Sequence, residues 1–307
     1  MIAGIYAKMD LIVKGVDYMS EKAKVRKHKL SKNNSLKHVL LVTVLMIFGY
    51  YILSQLVLSL FIGIPVLIVC KIDDMNVLTS PLSCIGGLIM LFVFYWWFRP
   101  EYKWKPRNTA FAFKAAAPIL IYWFVYYVVL FTMAAGHLTL GTEKVTFNSI
   151  AFGASAGICE EMAFREVGIS YMKRQLRDNK WNLLILLFTS VIFGSMHLTN
   201  VIAGSAPLWA RMVQVFGTLF FGFFLGAIFL RTGNIWVCIL IHTVYDVLPE
   251  FFLSRMDADM KSYIWGWMIV GQALLAIWGL YLIRKEKHPE IGALWNDKWN
   301  LTEPEEL

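Results

Sequence analysis

The chain contains 307 residues, of which 58% are apolar and only 16% are charged. Its mean hydropathy is +0.58. This composition lies outside the range of soluble globular proteins, so we predict a membrane protein with several spans. The formal net charge of +8 could suggest binding to nucleic acid. The basic residues, however, flank apolar runs, as they do in membrane proteins with positively charged cytoplasmic loops, and we expect no nucleic-acid partner.

The N-terminal segment, residues 1–36, is basic, with eight Lys or Arg residues against three acidic ones. We therefore expect this segment to be cytoplasmic. Charged residues interrupt its first twenty positions, so no cleavable signal peptide is predicted. Helical spacing of its apolar residues favours a helix on the membrane surface, with a disordered tail as the alternative. The residues with this spacing are Ile5, Met9, Ile12, Val16 and Met19.

The rest of the chain is rich in apolar runs, and a run of about 20 residues is long enough to cross a bilayer. Six such runs lie near residues 39–69, 81–98, 111–135, 181–199, 211–230 and 263–283. Two further runs, 148–171 and 234–249, are shorter or more polar. Counting both, we predict an all-α bundle of about eight transmembrane helices. This bundle forms one domain at residues 37–285, and residues 286–307 form a cytoplasmic tail.

The distribution of charge predicts the orientation of these spans. With eight helices drawn from a cytoplasmic N-terminus, the basic segments 99–107, 173–180 and 284–287 and the turn at Arg231 all lie on the cytoplasmic side. Both termini are then cytoplasmic. The four cysteines show no Cys-x-x-Cys spacing, which favours small packing residues over disulfides or a metal site.

Glycines mark two features of the second half. Gly222 and Gly226 have the small-x-x-x-small spacing that allows a neighbouring helix to approach closely. The pair Gly233–Asn234 predicts the end of one helix and a short turn before the next.

Ionisable residues interrupt three of the apolar runs at helical spacing. They lie in Glu160-Glu161-Met-Ala-Phe-Arg165, in Phe193-Gly-Ser-Met-His197 and in His242-Thr-Val-Tyr-Asp246. A charge at the centre of a bilayer costs at least about 2.5 to 3.5 kcal/mol on insertion scales. Such residues need partners or a function, so we predict a functional site inside the membrane.

The two glutamates of the first motif are expected to differ. Glu161 and Arg165 are four residues apart on one helical face and can form an ion pair. Glu160 lies about 100° further round the helix and has no cation three or four residues away. An unpaired carboxylate shielded from water is suited to act as a general base.

The other two motifs supply His197, His242 and Asp246. Hydrolysis of a peptide bond requires activation of water, stabilisation of an oxyanion and return of a proton, and these groups could divide the tasks with Glu160. A zinc site is the alternative, because Glu and His are zinc ligands. The motif His-Glu-x-x-His is absent. We therefore favour a metal-free site, with zinc as the less expected cofactor and no other cofactor.

In order and spacing, the three motifs resemble those of the CAAX protease and bacteriocin-processing family (CPBP, or Abi) of intramembrane glutamic-type proteases. The resemblance covers about residues 148–250. It implies an eight-helix bundle in which Glu160, helped by His197, activates water. His242 and the residue at position 246 would stabilise the oxyanion, and Glu161 and Arg165 would brace the site. Much of the family has Asn where this chain has Asp246, and an ionised Asp cannot donate a hydrogen bond.

The resemblance implies an intramembrane endopeptidase, as part of a multi-pass protein in a bacterial plasma membrane. Its substrate would be a membrane-associated peptide or protein, in leader-peptide, pheromone or bacteriocin processing or in self-immunity. One alternative is a proton- or cation-coupled transporter that uses Glu160 and the histidines as a relay, although the absence of an internal repeat counts against it. Another is a non-catalytic immunity or scaffold protein.

Overall fold

The computed structural model describes residues 35–71, 76–99, 101–106, 108–133, 147–199, 208–252 and 258–301. All regular elements in these ranges are helices, which confirms the all-α class. The predicted surface helix near the N-terminus lies outside the described residues.

Eleven helices are numbered here in chain order within these ranges. They are α1 (Leu36–Cys70, with a π-helical turn at Ser59–Gly63), α2 (Asn76–Phe98), α3 (Thr109–Ala116), α4 (Pro118–Met133), α5 (Phe147–Glu161), α6 (Ser170–Gln175), α7 (Asn182–Met196), α8 (Leu208–Thr232), α9 (Ile235–Phe252), α10 (Ala258–Leu282) and α11 (His288–Lys298). A π-helix, Met162–Ile169, joins α5 to α6 without a break.

Four helical segments of the described chain are long and apolar enough to cross a membrane: Leu36–Cys70, Leu78–Phe98, Thr109–Val129 and Arg211–Thr232. A fifth span is possible if Met268–Leu282 and Lys285–Lys298, which meet at 54°, are taken together. The chain is therefore a multi-pass membrane protein, but the predicted number of eight spans is not confirmed. One reason is that α7 has only 15 residues and the apolar part of α9, Ile235–Leu248, is also short.

The predicted break between α8 and α9 is present, and its geometry explains why the sequence has glycine there. Gly233 adopts a left-handed conformation with φ of 65°, which glycine tolerates best. The side chain of Asn234 then accepts hydrogen bonds from the backbone N–H groups of Trp236 and Val237, at 3.1 and 3.3 Å. It thus satisfies two of the free N–H groups at the start of α9.

The motif helix α5 lies at the centre of the packing. It contacts α9 on one side and α2 on the other, while α8 packs between α7 and α10. Close packing depends on glycines: a Cβ at Gly222 would lie 2.7 Å from Phe193, and one at Gly226 would lie 3.0 Å from Leu186. The small residues of α8 therefore provide the close approach that their spacing predicts.

The basic segments predicted to share one side of the membrane meet at one end of the bundle. Arg174 forms an ion pair with Glu101, which joins two of these segments. Arg231 pairs with Glu290 of α11. Lys103 pairs with Asp297 of α11 at 2.6 Å.

The C-terminal helix α11 is packed against this end of the bundle. Trp295 Nε1 donates to Leu230 O at 2.8 Å, and Trp299 Nε1, just after the helix, donates to Ser170 O at 2.9 Å. Both indole rings are buried. The C-terminal segment, which the sequence assigns to a tail, is therefore packed against the bundle as far as Leu301. The division of the chain into domains stays a prediction.

Candidate active site

The first motif lies where α5 changes from an α-helix to a π-helix. Glu161 is the last α-helical residue, and the π-helix runs over the next eight residues, all of which are buried. At its end, the backbone N–H of Ser170 bonds to Arg165 O, five residues back. Widened turns of this kind are frequent at functional sites.

The predicted ion pair of this motif is present and fully enclosed. Glu161 Oε1 lies 3.0 Å from Arg165 Nη1, and the side chains are 0% and 2% exposed. The contact is an ion pair without hydrogen-bond geometry at Nη1. The guanidinium also donates from Nη2 to Gly222 O at 3.2 Å, and its Cζ lies 4.6 Å from the centre of the Phe193 ring. A buried cation with these partners has much of its desolvation cost offset.

His242 connects the third motif to the first. Its Nδ1 donates to Glu161 Oε1 at 2.7 Å. Because an ionised carboxylate can only accept, the shared hydrogen belongs to Nδ1 of the imidazole. The Nε2 atom then faces the opposite way. It lies 3.6 Å from Glu160 Oε2 and 3.5 Å from Asp246 Oδ2.

Nε2 of His242 thus faces carboxylate oxygens of both Glu160 and Asp246. Both distances exceed normal hydrogen-bond lengths, so the imidazole faces the two carboxylates without bonding tightly to either. Glu160 is 14% exposed and Asp246 is 26% exposed, whereas Glu161 is completely enclosed. The neighbouring glutamates therefore have different environments, as the helical geometry predicts.

His197 reaches this region through Phe193. Its Nδ1 lies 3.2 Å from Phe193 O, which can only accept, so Nδ1 carries the hydrogen and Nε2 is left as an acceptor. The Phe193 ring packs edge-to-face against both His197 and His242, at 5.5 and 5.9 Å between ring centres. Within the described chain, no hydrogen bond or ion pair joins His197 to Glu160.

Zinc ligation was the alternative chemistry predicted for these residues. Among the described residues, no group of three His, Cys, Asp or Glu side chains has a geometry that could hold a metal ion. Cys159 and Cys238 are buried and donate to backbone carbonyls, Cys159 to Ser83 O at 3.2 Å. The catalytic roles of the motif residues stay predictions.

Sequence reasoning missed several residues around the site. Tyr245 stacks on Phe221 at 4.1 Å, and Phe221 packs edge-on against His242 at 5.5 Å. The amide of Gln272, on another helix, donates to the hydroxyl of Tyr245. Gln272 is a polar residue in an apolar stretch of α10. This interruption is the sequence feature that could have identified it.

Glu166 is a second enclosed carboxylate that the motif analysis passed over. It is 0% exposed and accepts a hydrogen bond from Tyr102. Its position next to Arg165 places it on the π-helix, directed toward the end of the bundle where α11 packs. The positive charge of Lys298 in α11 is electrostatically favourable for this carboxylate.

Comparison with known families gives one match. Residues 142–248 match the model of the family described as type II CAAX prenyl endopeptidase Rce1-like. The matched segment is about a third of the chain and contains all three motifs, so the resemblance noted in the sequence is confirmed there. Comparisons with curated proteins and with solved structures give no match.

Proposed function

We propose that the chain is an intramembrane endopeptidase that hydrolyses a peptide bond of a membrane-associated peptide or protein with a water activated by Glu160. One observation carries the proposal. In a segment that matches a peptidase family, Glu160, His242 and Asp246 face one point, while Glu161 is held by Arg165.

The first step is removal of a proton from water. Glu160 is the carboxylate suited to this, because its side chain is partly exposed and has no Arg or Lys partner at ion-pair distance in the described chain. The resulting hydroxide forms a bond to the scissile carbonyl carbon. The electron pair of the C=O bond moves to the oxygen, and the proton stays on Glu160.

The oxyanion formed in this step requires a donor. When His242 carries a proton on each nitrogen, Nδ1–H donates to Glu161 and Nε2–H is free to donate to the oxyanion. Asp246 also lies near Nε2 and remains a carboxylate after Glu160 has taken the proton from water, which favours the protonated ring. Asp246 then orients the ring instead of donating itself, which accommodates the difference from the family's Asn. Collapse of the intermediate expels the amine, which takes the proton from Glu160.

His197 has a supporting part in this scheme. Its Nε2 is an acceptor that can hold the attacking water or the substrate beside the Phe193 ring. We place the protein in a bacterial plasma membrane with both termini in the cytoplasm. Its substrates would be leader peptides, pheromones or bacteriocins, in processing or in self-immunity.

The test compares wild type with Glu160→Gln in nanodiscs. The probe is a fluorogenic farnesylated peptide ending in a CAAX sequence, chosen from the family match, alongside membrane peptide pools from cells that express each form. Glu286→Gln is the matched control, because that glutamate is 73% exposed and remote from the site. Loss of a general base should lower the rate about 10² to 10⁴-fold while the protein remains folded. Wild-type turnover by Glu160→Gln would overturn the assignment.

A further inference from the structure

Gln272 is a polar side chain enclosed in an apolar helix. It is 0% exposed in α10 and donates its amide hydrogen to the hydroxyl of Tyr245. Its carbonyl oxygen Oε1 has no hydrogen-bond partner among the described residues. A buried acceptor left unsatisfied is destabilising. An apolar residue of similar volume would avoid this cost, so folding stability does not explain the glutamine.

The molecule makes room for this amide. A Cβ at position 217 would lie 2.2 Å from Gln272 Oε1, closer than any side chain allows. Gly217 is therefore required for the amide to approach α8. It lies one helical turn before Phe221, the residue on which Tyr245 stacks.

From Tyr245 the contacts continue to the imidazole of the candidate active site. The Tyr245 and Phe221 rings are stacked with an angle of 24° between their planes. Phe221 meets His242 edge-on at 86°, and Phe193 meets it at 88° from another helix. The imidazole is thus held by two aromatic rings, and its rotation about the Cβ–Cγ bond depends on where Phe221 lies.

We infer that Gln272 is a positioning residue: through the Tyr245 hydroxyl and the Phe221 ring, it fixes the plane of His242 so that Nε2 faces Glu160 and Asp246. Its amide contacts neither the substrate nor the reacting atoms. The effect of Gln272 on catalysis rests on the proposed peptidase function, but its effect on the orientation of the His242 ring does not.

The first experiment measures coupling between the two hydrogen-bonding partners. The variants are Gln272→Met, which keeps the volume, Tyr245→Phe, which keeps the stacked ring, and the double variant. With the farnesylated peptide, we expect each single variant to lower kcat about tenfold or more with little change in KM, since small displacements of catalytic groups have large effects. The double variant should be no worse than either single one. Thermal stability of Gln272→Met should equal or exceed that of wild type.

The matched control is Gln214→Met. Gln214 also lies in an apolar helix, but its side chain accepts a hydrogen bond from Arg211. It should leave kcat unchanged. Multiplicative losses in the double variant, or a loss in Gln214→Met as large as in Gln272→Met, would overturn the inference.

The second experiment does not need a substrate. Protein labelled with ¹⁵N-histidine reports the position of the proton on each imidazole, and the signal of His242 is identified by its absence in His242→Ala. Wild type should show one sharp set of His242 signals with Nδ1 protonated, and both single variants should show averaged or broadened signals. An unchanged His242 signal in both variants would overturn the inference even if the protein cleaves the peptide. If wild type cleaves no peptide, this signal still decides whether Gln272 positions the ring.

Discussion

His242 donates its Nδ1 hydrogen to Glu161 across 2.7 Å, and this bond joins the third motif to the first. The same carboxylate oxygen lies 3.0 Å from Arg165 Nη1. One oxygen therefore holds a buried cation and sets which nitrogen of the imidazole faces Glu160 and Asp246. Glu161 affects both the stability of the bundle and the chemistry of His242, although it is itself completely enclosed.

Replacing Glu161 by Ala should destabilise the protein. The change leaves Arg165 enclosed without its carboxylate, at a cost of about 3 to 5 kcal/mol for a broken buried pair. Expression and the thermal midpoint in detergent should fall. Glu161→Gln retains an acceptor for His242 and should lose less. Stability of Glu161→Ala equal to that of wild type would show that the pair does not brace the site.

Lys298 provides a second test of a buried charge, at the end of the bundle. Its Nζ donates to Gly233 O at 2.9 Å, and its positive charge is electrostatically favourable for the enclosed carboxylate of Glu166. Lys298→Met should therefore lower the thermal midpoint strongly, because Glu166 remains buried without that cation.

Lys103→Met is the matched control for that prediction. Lys103 also contacts α11, through Asp297, but the two side chains are 41% and 37% exposed. An exposed pair of this kind contributes only about 0 to 1 kcal/mol. Equal destabilisation by the two variants would show that the burial of Lys298 is not what matters.

The sequence predicted what depends on local spacing. The Glu161–Arg165 pair, the difference between Glu160 and Glu161 and the helix break at Gly233 all follow from positions within one or two turns. Helical periodicity identifies which residues share a face, and the cost of charge in an apolar run identifies which runs are functional.

Contacts between distant parts of the chain could not be predicted in this way. Glu161 and His242 are 81 residues apart, and neither motif indicates that the other supplies its partner. Gln272 and Tyr245 lie on different helices, and α11 has too little apolar character to suggest that it packs on the bundle. Periodicity gives the direction of a side chain but not the helix that it meets. The predicted number of eight spans is not confirmed, because two of the predicted runs form short helices in the described chain.

Lys173 should make the stability of the protein depend on pH. It lies in α6, at the basic end of the bundle, and is only 2% exposed. Burial lowers the pKa of this ammonium from 10.5 to about 8, with Asp178 opposing the shift. Its hydrogen bonds go to neutral oxygens, including Asn182 Oδ1 at 3.0 Å. The unfolded chain therefore holds this proton more tightly than the folded one.

Stability should then rise as pH increases from about 8 toward 10.5, because the unfolded state binds more protons over this range. Thermal midpoints of wild type and Lys173→Met, measured in the same detergent at pH 7, 8, 9 and 10, separate this effect from the titration of other groups. The thermal midpoint of wild type should rise relative to that of Lys173→Met as the pH increases. A difference that does not vary with pH would contradict the shifted pKa of Lys173.

The last prediction distinguishes water activated by glutamate from water activated by zinc. A catalytic zinc usually takes three protein ligands, at about 2.0 to 2.2 Å for His and carboxylate. Glu160, His197 and His242 could supply them only if they converged, whereas His197 packs on the ring of Phe193, which lies against His242. With Glu160 as a ligand, no general base would remain except Asp246. We therefore expect purified protein to lack stoichiometric zinc by elemental analysis and to cleave the farnesylated peptide after prolonged treatment with a chelator. One zinc per chain, with activity lost on chelation and restored by added zinc, would overturn the role of Glu160 as base while leaving the peptidase assignment intact.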